Sequence, residues 1–439
     1  MTERTEIGID IDELREVWWM LPAEDRIFGF RQLDAGDAGE FFVDLDPHDQ
    51  AELLRALRPQ ERRTWLRLLA PDDAADLIQE VDEEERGPLL GLLDDASRRE
   101  VTALLAYAED EAGGLMSSRF ARVRPDMTVD EAIAYLRRQA AAGIALETIY
   151  YSYVLEADQR LIGVVSFRTL FAQPGATPVR DIMVTDFVAV HEEMDQEAVA
   201  RLFAEYDVIA LPVVDEAGRM KGIVTVDDIV DVVEEEATED AHKFGGMEAL
   251  ELPYLRTHVL SLIRKRAGWL VLLFLGGMLT ATALEQFEAS IQALPFLTFF
   301  IPLIIASGGN SGSQASTLVI RAMAMDEVRL RDWWRVARRE VISGIVLGLV
   351  LGAIGFIRVL LFPGDIALHG SDVVVLMGLT ITFSLLGVVL FGTLVGSMLP
   401  FILRRVGLDP ASASAPLVAT LVDVTGLLIY FLAASWMLG

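Results

Sequence analysis

The 439-residue sequence predicts a multidomain chain: an all-α superhelical solenoid, a tandem pair of small α/β units, a connecting helix, and an α-helical membrane domain of five spans. Three observations carry that expectation. A twelve-residue apolar repeat fills the front of the chain, a strand-and-helix pattern occurs twice behind it, and five long apolar stretches make up the rest. Charge divides the chain at the same place. Of 66 acidic and 37 basic residues, 56 and 24 fall within residues 1–252, which gives that part −32 and leaves +3 on residues 253–439. So acidic a front part repels nucleic acid and anionic lipid and is not expected to bind either. No cysteine is present, so disulfides and thiolate metal sites are excluded.

The polar start Met1–Glu6 is followed by no apolar run and is not expected to be a secretory signal. A lead-in helix is expected around Ile11 to Trp19. The repeat follows: Phe41-Phe-Val-Asp-Leu45-Asp-Pro47, then Leu53 to Pro59, Trp65 to Pro71, Leu77 to Asp82 and Leu89 to Asp94. In each unit two adjacent apolar residues and a third form one helical stripe, and Pro or Asp ends one helix and starts the next. Helices this short must stack on their neighbours to bury a core, so residues 1–112 are predicted to form a small solenoid. Its edge acids, among them Asp72, Asp73, Asp94 and Asp95, read either as solvated caps or as part of a cation-sensing face.

The duplicated unit begins at Gly113. Leu115-Met116, Val123 and a helix from Val129 to Arg138 are echoed by Ile182-Met183, Val190 and a helix from Gln196 to Glu205. Each copy then carries a β-hairpin, Tyr151 to Ser166 and Ala210 to Thr225, with β-branched runs flanking a polar turn. Residues 113–179 and 180–237 resemble a pair of cystathionine-β-synthase (CBS) domains, a family that often binds adenine nucleotides. That family's ribose-contacting Thr/Ser-x-x-Asp is matched by Thr225 and Asp228, whereas the first copy has Ser166 and Thr169. The resemblance therefore implies a nucleotide site in the second copy alone. Asp228 reads equally well as the cap of the helix it opens.

Residues 238–266 are expected to connect the two halves through an acidic helix end and a helix from Thr257 to Arg266. Five acids, Glu234, Glu235, Glu236, Glu239 and Asp240, crowd this segment. They read as a solvated face or as a cation-relieved cluster.

Five apolar stretches follow within residues 267–439, near Trp269 to Leu284, Pro295 to Met325, Val341 to Phe362, Val373 to Leu403 and Ala411 to Leu438, each able to span a core that needs about 20 helical residues. Arg264 to Arg266, the arginines from Arg321 to Arg339, and Arg404-Arg405 all fall in alternate loops. The positive-inside rule thus places the acidic front part in the cytosol and the C-terminus outside, with Arg358 the one exception. In the second stretch Pro302 and Ala306-Ser-Gly-Gly-Asn310-Ser-Gly-Ser-Gln314 predict a broken helix. Two readings of it stand: a small-residue packing seam, or a pore wall lined by Gly309, Asn310, Gly312 and Gln314.

Asp423 lies deep in the last stretch, where an ionised carboxylate costs roughly 3 kcal/mol. It reads as a cation-pathway ligand, a polar contact between helices, or a carboxyl that stays protonated.

With this order of parts, Gly-Gly-Asn310-Ser-Gly-Ser-Gln314 and Asp423-Val-Thr-Gly426, the whole chain resembles the MgtE family of magnesium channels. The resemblance implies a homodimer in the lipid bilayer of the plasma membrane, CBS domains in the cytoplasm, and Mg²⁺ as both cargo and regulator. It implies Asp423 and the Ala419 carbonyl as pore ligands beside Pro416, and a connecting helix that plugs the pore. Regulatory Mg²⁺ is then expected on Asp94, Asp95, Asp215, Asp227, Asp231, Glu235, Glu236, Glu239 and Asp240. ATP or another adenine nucleotide is the expected ligand of Thr225 and Asp228. A cation-coupled secondary transporter of Mg²⁺, Mn²⁺ or Co²⁺ is the alternative. No nucleophile–base pair points to an enzyme, and no partner nucleic acid is expected.

Overall fold

The computed structural model describes residues 10–141, 146–250 and 252–438; the polar start lies outside them. The chain forms two compact units, divided after Glu234.

In the first unit the twelve-residue phase is kept helix by helix. After α1 (Ile11–Val17) come α2 (Ala23–Phe30), α3 (Ala35–Val43), α4 (Pro47–Ala56), α5 (Pro59–Leu66), α6 (Pro71–Gln79), α7 (Glu83–Leu90) and α8 (Asp95–Leu104), and from α2 onward each begins twelve residues after the last. Proline occupies the first turn of α4, α5 and α6, where its missing N–H removes no helix bond. Asp34, Asp46 and Asp94 cap α3, α4 and α8 by accepting backbone N–H groups. The apolar stripes meet in one core that includes Phe41, Phe42, Leu54, Leu66, Leu77 and Ile78. Within it Asp49 accepts from Trp18 Nε1 at 2.6 Å and from Arg26 at 3.0 Å, so this buried charge is both paired and hydrogen-bonded.

The duplicated unit has the expected symmetry. The short α9 (Ala112–Leu115) leads into β1 (Arg122–Val123), α10 (Val129–Ala141), β2 (Tyr151–Leu155), β3 (Leu161–Ser166) and α11 (Phe167–Ala172). The second copy has β4 (Val190–His191), α12 (Gln196–Tyr206), β5 (Ala210–Val214), β6 (Met220–Thr225) and α13 (Val226–Phe244). In each three-stranded sheet the first strand is parallel to the second and the second antiparallel to the third. Register slips at equivalent places, Val154/Leu155 and Val213/Val214.

The boundary expected at residues 237/238 falls inside α13, which runs unbroken to Phe244. The linker helix expected over Thr257 to Arg266 starts at Val259. That stretch flows into the first membrane-capable helix, α14 (Val259–Gln286), because nothing after Val259 interrupts helix formation.

The second unit holds α14, the short α15 (Glu288–Ala293), α16 (Ile301–Ala324), α17 (Trp333–Leu361), α18 (Ser371–Arg405) and α19 (Ala415–Leu438). Five of these are long and apolar enough to cross a membrane. The expected break in the second span is absent: α16 is continuous over 24 residues. Pro302 sits in its first turn, and the glycines serve close packing. A Cβ on Gly312 would meet the Gly392 carbonyl of α18 at 2.8 Å, and one on Gly308 would meet Val422 of α19 at 2.7 Å. Along the other side of α18, Gly344, Gly348 and Gly352 of α17 bring that helix equally close.

Candidate functional site

Asp423 stands about a third of the way along α19, two turns from its start. The turn before this helix is set by Asp409, which accepts from Ala411 N at 2.8 Å. Val418, Val422, Gly426, Leu427, Tyr430 and Phe431 form the buried face, and Tyr430 donates to the Leu297 carbonyl at 2.9 Å. Asp423 lies beside that face, partly buried, and among the described residues its carboxylate has no hydrogen bond or ion pair. Two helices flank the turn that precedes it. Gly309 of α16 packs on Ala419, a Cβ there lying 3.5 Å from Ala419 Cβ, and Gly276 of α14 packs on Thr420. The Ala419 carbonyl is one helical turn from Asp423 and keeps one lone pair beyond its helix bond.

Gly309 and Gly312 are therefore buried in the packing seam. Asn310 and Gln314 point to the exposed side of α16. Pro416 is partly buried at the start of α19, against Gly246, whose φ of +72° and proximity to Trp269 leave no room for a side chain.

The end of α13, from Glu235, belongs to this second unit. Lys243 bridges Glu239 and Asp409, the latter at 2.6 Å. Burial alone would lower the Lys243 pKa, but the Asp409 and Glu239 carboxylates hold it above its ordinary value. Phe244 packs with Ile320, Ala411 and Ala413. Lys265 Nζ donates to the Ala249 carbonyl at 2.6 Å, and Trp269 Nε1 to Ser414 Oγ at 3.2 Å.

In the first unit the structure assembles an acidic cluster that sequence reading did not foresee as one site. Asp72, Asp73 and Asp76 come from the first turns of α6, Glu147 precedes β2, and Asp227 and Asp228 open α13. Asp72 is 7% exposed, and its Oδ1 is buried with no partner among the described residues. Burial, then the neighbouring carboxylates, push Asp72 and Asp73 up to about 6 and Asp76 up to about 8. Asp228 rises to about 7 by burial, against the opposing bonds that Thr225 N and Oγ1 donate to it at 3.2 and 2.8 Å. Glu147 is also raised, chiefly by burial, although Ser117 donates to it at 3.1 Å. Arg119 supplies a weak opposing charge to Asp72 and Glu147.

The other expected regulatory acids are dispersed. Asp94 caps α8, where the Ser97 N–H holds it below the usual carboxylate range, and Asp95 pairs with Arg98 at 3.0 Å. Asp215 is held within its hairpin by Arg219 N at 2.9 Å and Arg219 Nε at 2.8 Å. Asp231, Glu235, Glu236, Glu239 and Asp240 lie further along α13. Among the described residues no three His, Asp or Glu side chains form a ready-made metal cage. In the first copy, Ser166 and Thr169 hydrogen-bond each other through their hydroxyls at 2.8 Å.

Comparison with known proteins covers all of these parts. Residues 301–433 match a family model described as a divalent cation transporter, MgtE; residues 9–110 match the MgtE intracellular N domain; residues 112–173 and 179–235 match CBS domains. The magnesium transporter MgtE of Thermus thermophilus is 47% identical over 342 residues, 78% of this chain and 73% of that one. Those of Enterococcus faecalis and Bacillus subtilis are each 34% identical, over 76% of this chain and 71% of theirs. The solved cytosolic domain of the Mg²⁺ channel MgtE in complex with ATP is 45% identical, covers 52% of this chain and 92% of its own, and gives a TM-score of 0.48.

Proposed function

The chain belongs to the MgtE family of magnesium transporters, and from that membership we propose that it is a Mg²⁺-selective channel for uptake across the plasma membrane, closed by Mg²⁺ on its acidic cytosolic part. It is a multi-pass membrane protein of a transporter, not an enzyme, family. The observation that carries the channel reading is the unpaired Asp423 carboxylate two turns inside α19, one turn beyond the close contact of Gly309 with Ala419. Mg²⁺ dehydrates reluctantly, so this acid and the Ala419 carbonyl hold the ion through its water shell. Two copies of Asp423 facing across a twofold axis repel each other, and a divalent ion offsets that repulsion better than Na⁺ or K⁺. Asn310 and Gln314 on the exposed side of α16 favour such a homodimer, because amide side chains at membrane depth are costly against lipid. The loop arginines orient the acidic domains toward the cytosol and the C-terminus outside.

Closure follows from charge. The carboxylates of Asp72, Asp73, Asp76, Glu147, Asp227 and Asp228 repel one another until hydrated Mg²⁺ bridges them. The acids further along α13 then act with them, and Lys243 holds the end of that helix on Asp409. An adenine nucleotide at Thr225 and Asp228 enters an acidic neighbourhood, so it binds as its Mg²⁺ complex. The measurement that tests the reading is Mg²⁺ flux and current through the purified full chain in liposomes, wild type beside Asp423→Ala. Flux that saturates at transporter-like turnover and needs an opposing ion gradient would return the coupled-transporter alternative, and unchanged flux in the variant would remove Asp423 from the pathway.

A further inference from the structure

One strongly basic surface lies apart from the residues assigned above to conduction and to Mg²⁺ sensing. It lies where α17 begins and α18 ends, two helices held antiparallel by the contacts of Gly344 with Leu390 and Gly352 with Thr382 and by the approach of Thr393 Oγ1 to the Glu340 carbonyl at 3.4 Å. Trp333 and Trp334 are 52% and 64% exposed there. Arg335, Arg338 and Arg339 and then the exposed apolar Ile342, Val346 and Leu349 share one helical face, spaced by three or four residues. Arg404 and Arg405 complete the basic rim from the last turn of α18.

The local acids do not neutralise this rim. Asp332 pairs with Arg335 at 2.8 Å and Asp409 with Lys243. Among the described residues no carboxylate lies within ion-pair distance of Arg338, Arg339, Arg404 or Arg405; Glu340 is in Coulombic reach of Arg339 without pairing. Arg338 and Arg339 lie one helical turn from Ile342, where the lipid-facing apolar surface starts, with the indoles on their outer side. A guanidinium at that level is oriented for a phosphate oxygen, which it takes through two parallel hydrogen bonds. Indoles are favoured at the same headgroup level. Several unpaired cations together favour a headgroup of net negative charge over a zwitterionic one, whose own ammonium group they repel.

We infer that the α17 start and α18 end form a binding surface for an anionic phospholipid, with Arg338 and Arg339 on its phosphate and Trp333 and Trp334 on the headgroup side of that phosphate. The source is membrane lipid, because the apolar strip from Ile342 to Leu349 continues the site along the acyl chains. The inference is independent of which ion the chain carries.

The test uses the full chain in neutral detergent, titrated with phosphatidylglycerol, phosphatidylcholine or inorganic phosphate and read by native mass spectrometry and thermal unfolding. Phosphatidylglycerol is expected to stay bound and raise the unfolding temperature, with half-saturation about tenfold weaker in the double variant Arg338→Gln/Arg339→Gln, as for loss of one or more charge-assisted contacts. Arg338→Lys/Arg339→Lys keeps the charge and retains preference for phosphatidylglycerol, while Arg358→Gln, at the other end of α17, leaves binding unchanged. Equal binding of the two lipids, or undiminished binding by the Gln variant, overturns the assignment. An equal shift with inorganic phosphate overturns the lipid source.

Discussion

The Lys243 ammonium lies 2.6 Å from the Asp409 carboxylate, so the last turn of α13 is fastened to the turn that starts the Asp423 helix. Lys243→Gln removes that tie and leaves Asp409 and Glu239 without their cation. The variant is expected to conduct at internal Mg²⁺ levels that shut the wild type, with the inhibitory concentration raised about tenfold, as for the loss of one desolvated ion pair. Flux against internal Mg²⁺ in liposomes measures it, and an unchanged curve excludes the tie from gating.

Asp423→Asn keeps the shape of the side chain and removes its charge. A hydrogen bond to a charged partner contributes about 1.5–3 kcal/mol, so Mg²⁺ affinity in the pathway is expected to fall by about tenfold to a hundredfold. Flux measured over a range of Mg²⁺ concentrations reads the loss. Size-exclusion behaviour identical to wild type shows that assembly is intact.

The acidic cluster makes the first unit sensitive to pH. Asp72 and Asp73 at about 6, Asp228 at about 7 and Asp76 at about 8 all lie above the ordinary 3.8. The folded state therefore holds protons that the unfolded state has released, and the stability they contribute is full below about pH 4 and is lost as pH rises through about 6 to 8. Without Mg²⁺, hydrogen exchange in α6 and the first turn of α13 is expected to quicken across that window. Added Mg²⁺ should suppress the change, because it replaces the protons. Exchange that is flat from pH 5 to 8.5 in chelator would contradict it.

Much of this architecture can be read from local chemistry. The proline and aspartate starts of α3 to α6 and of α8 act within one turn, so the twelve-residue phase survives into the fold. Hydropathy likewise marks all five spans. Other features depend on partners far along the chain. Asp72 and Asp228 are separated by more than half of the first unit's sequence, and nothing near either residue announces the other. Asp94 and Asp215 looked equally available, yet backbone N–H groups engage both. The glycines of α16 read as helix breakers by propensity. Their effect was decided by α18, whose own glycines accept the close approach.

That close approach predicts a contrast between two Gly→Ala changes. A Cβ at Gly396 would overlap the Gly312 carbonyl, whereas one at Gly268 of α14 meets nothing within 4 Å. Gly396→Ala is expected to cost about 1–3 kcal/mol through overpacking. Gly268→Ala should be neutral or stabilising by up to about 1 kcal/mol, since alanine is the better helix former. Thermal unfolding in detergent compares the two.

Nucleotide binding should depend on the metal. Calorimetry of the full chain is expected to show heat with ATP in Mg²⁺ and little in chelator, and Asp228→Ala should abolish it. Absence of heat in both conditions would leave Asp228 as the helix cap that its bonds to Thr225 already make it.

The even phasing of α2 to α8 also bears on how the protein is made. Each helix finds its partners within the next few dozen residues, so the solenoid needs no distant segment to begin folding. At about 5–20 residues per second, the ribosome spends on the order of ten seconds or more between finishing α8 and completing the first membrane helix α14. Local helical folding is far faster than that. The solenoid therefore has time to fold before the first membrane-capable helix leaves the ribosome, so the membrane domain is inserted with a folded body already attached.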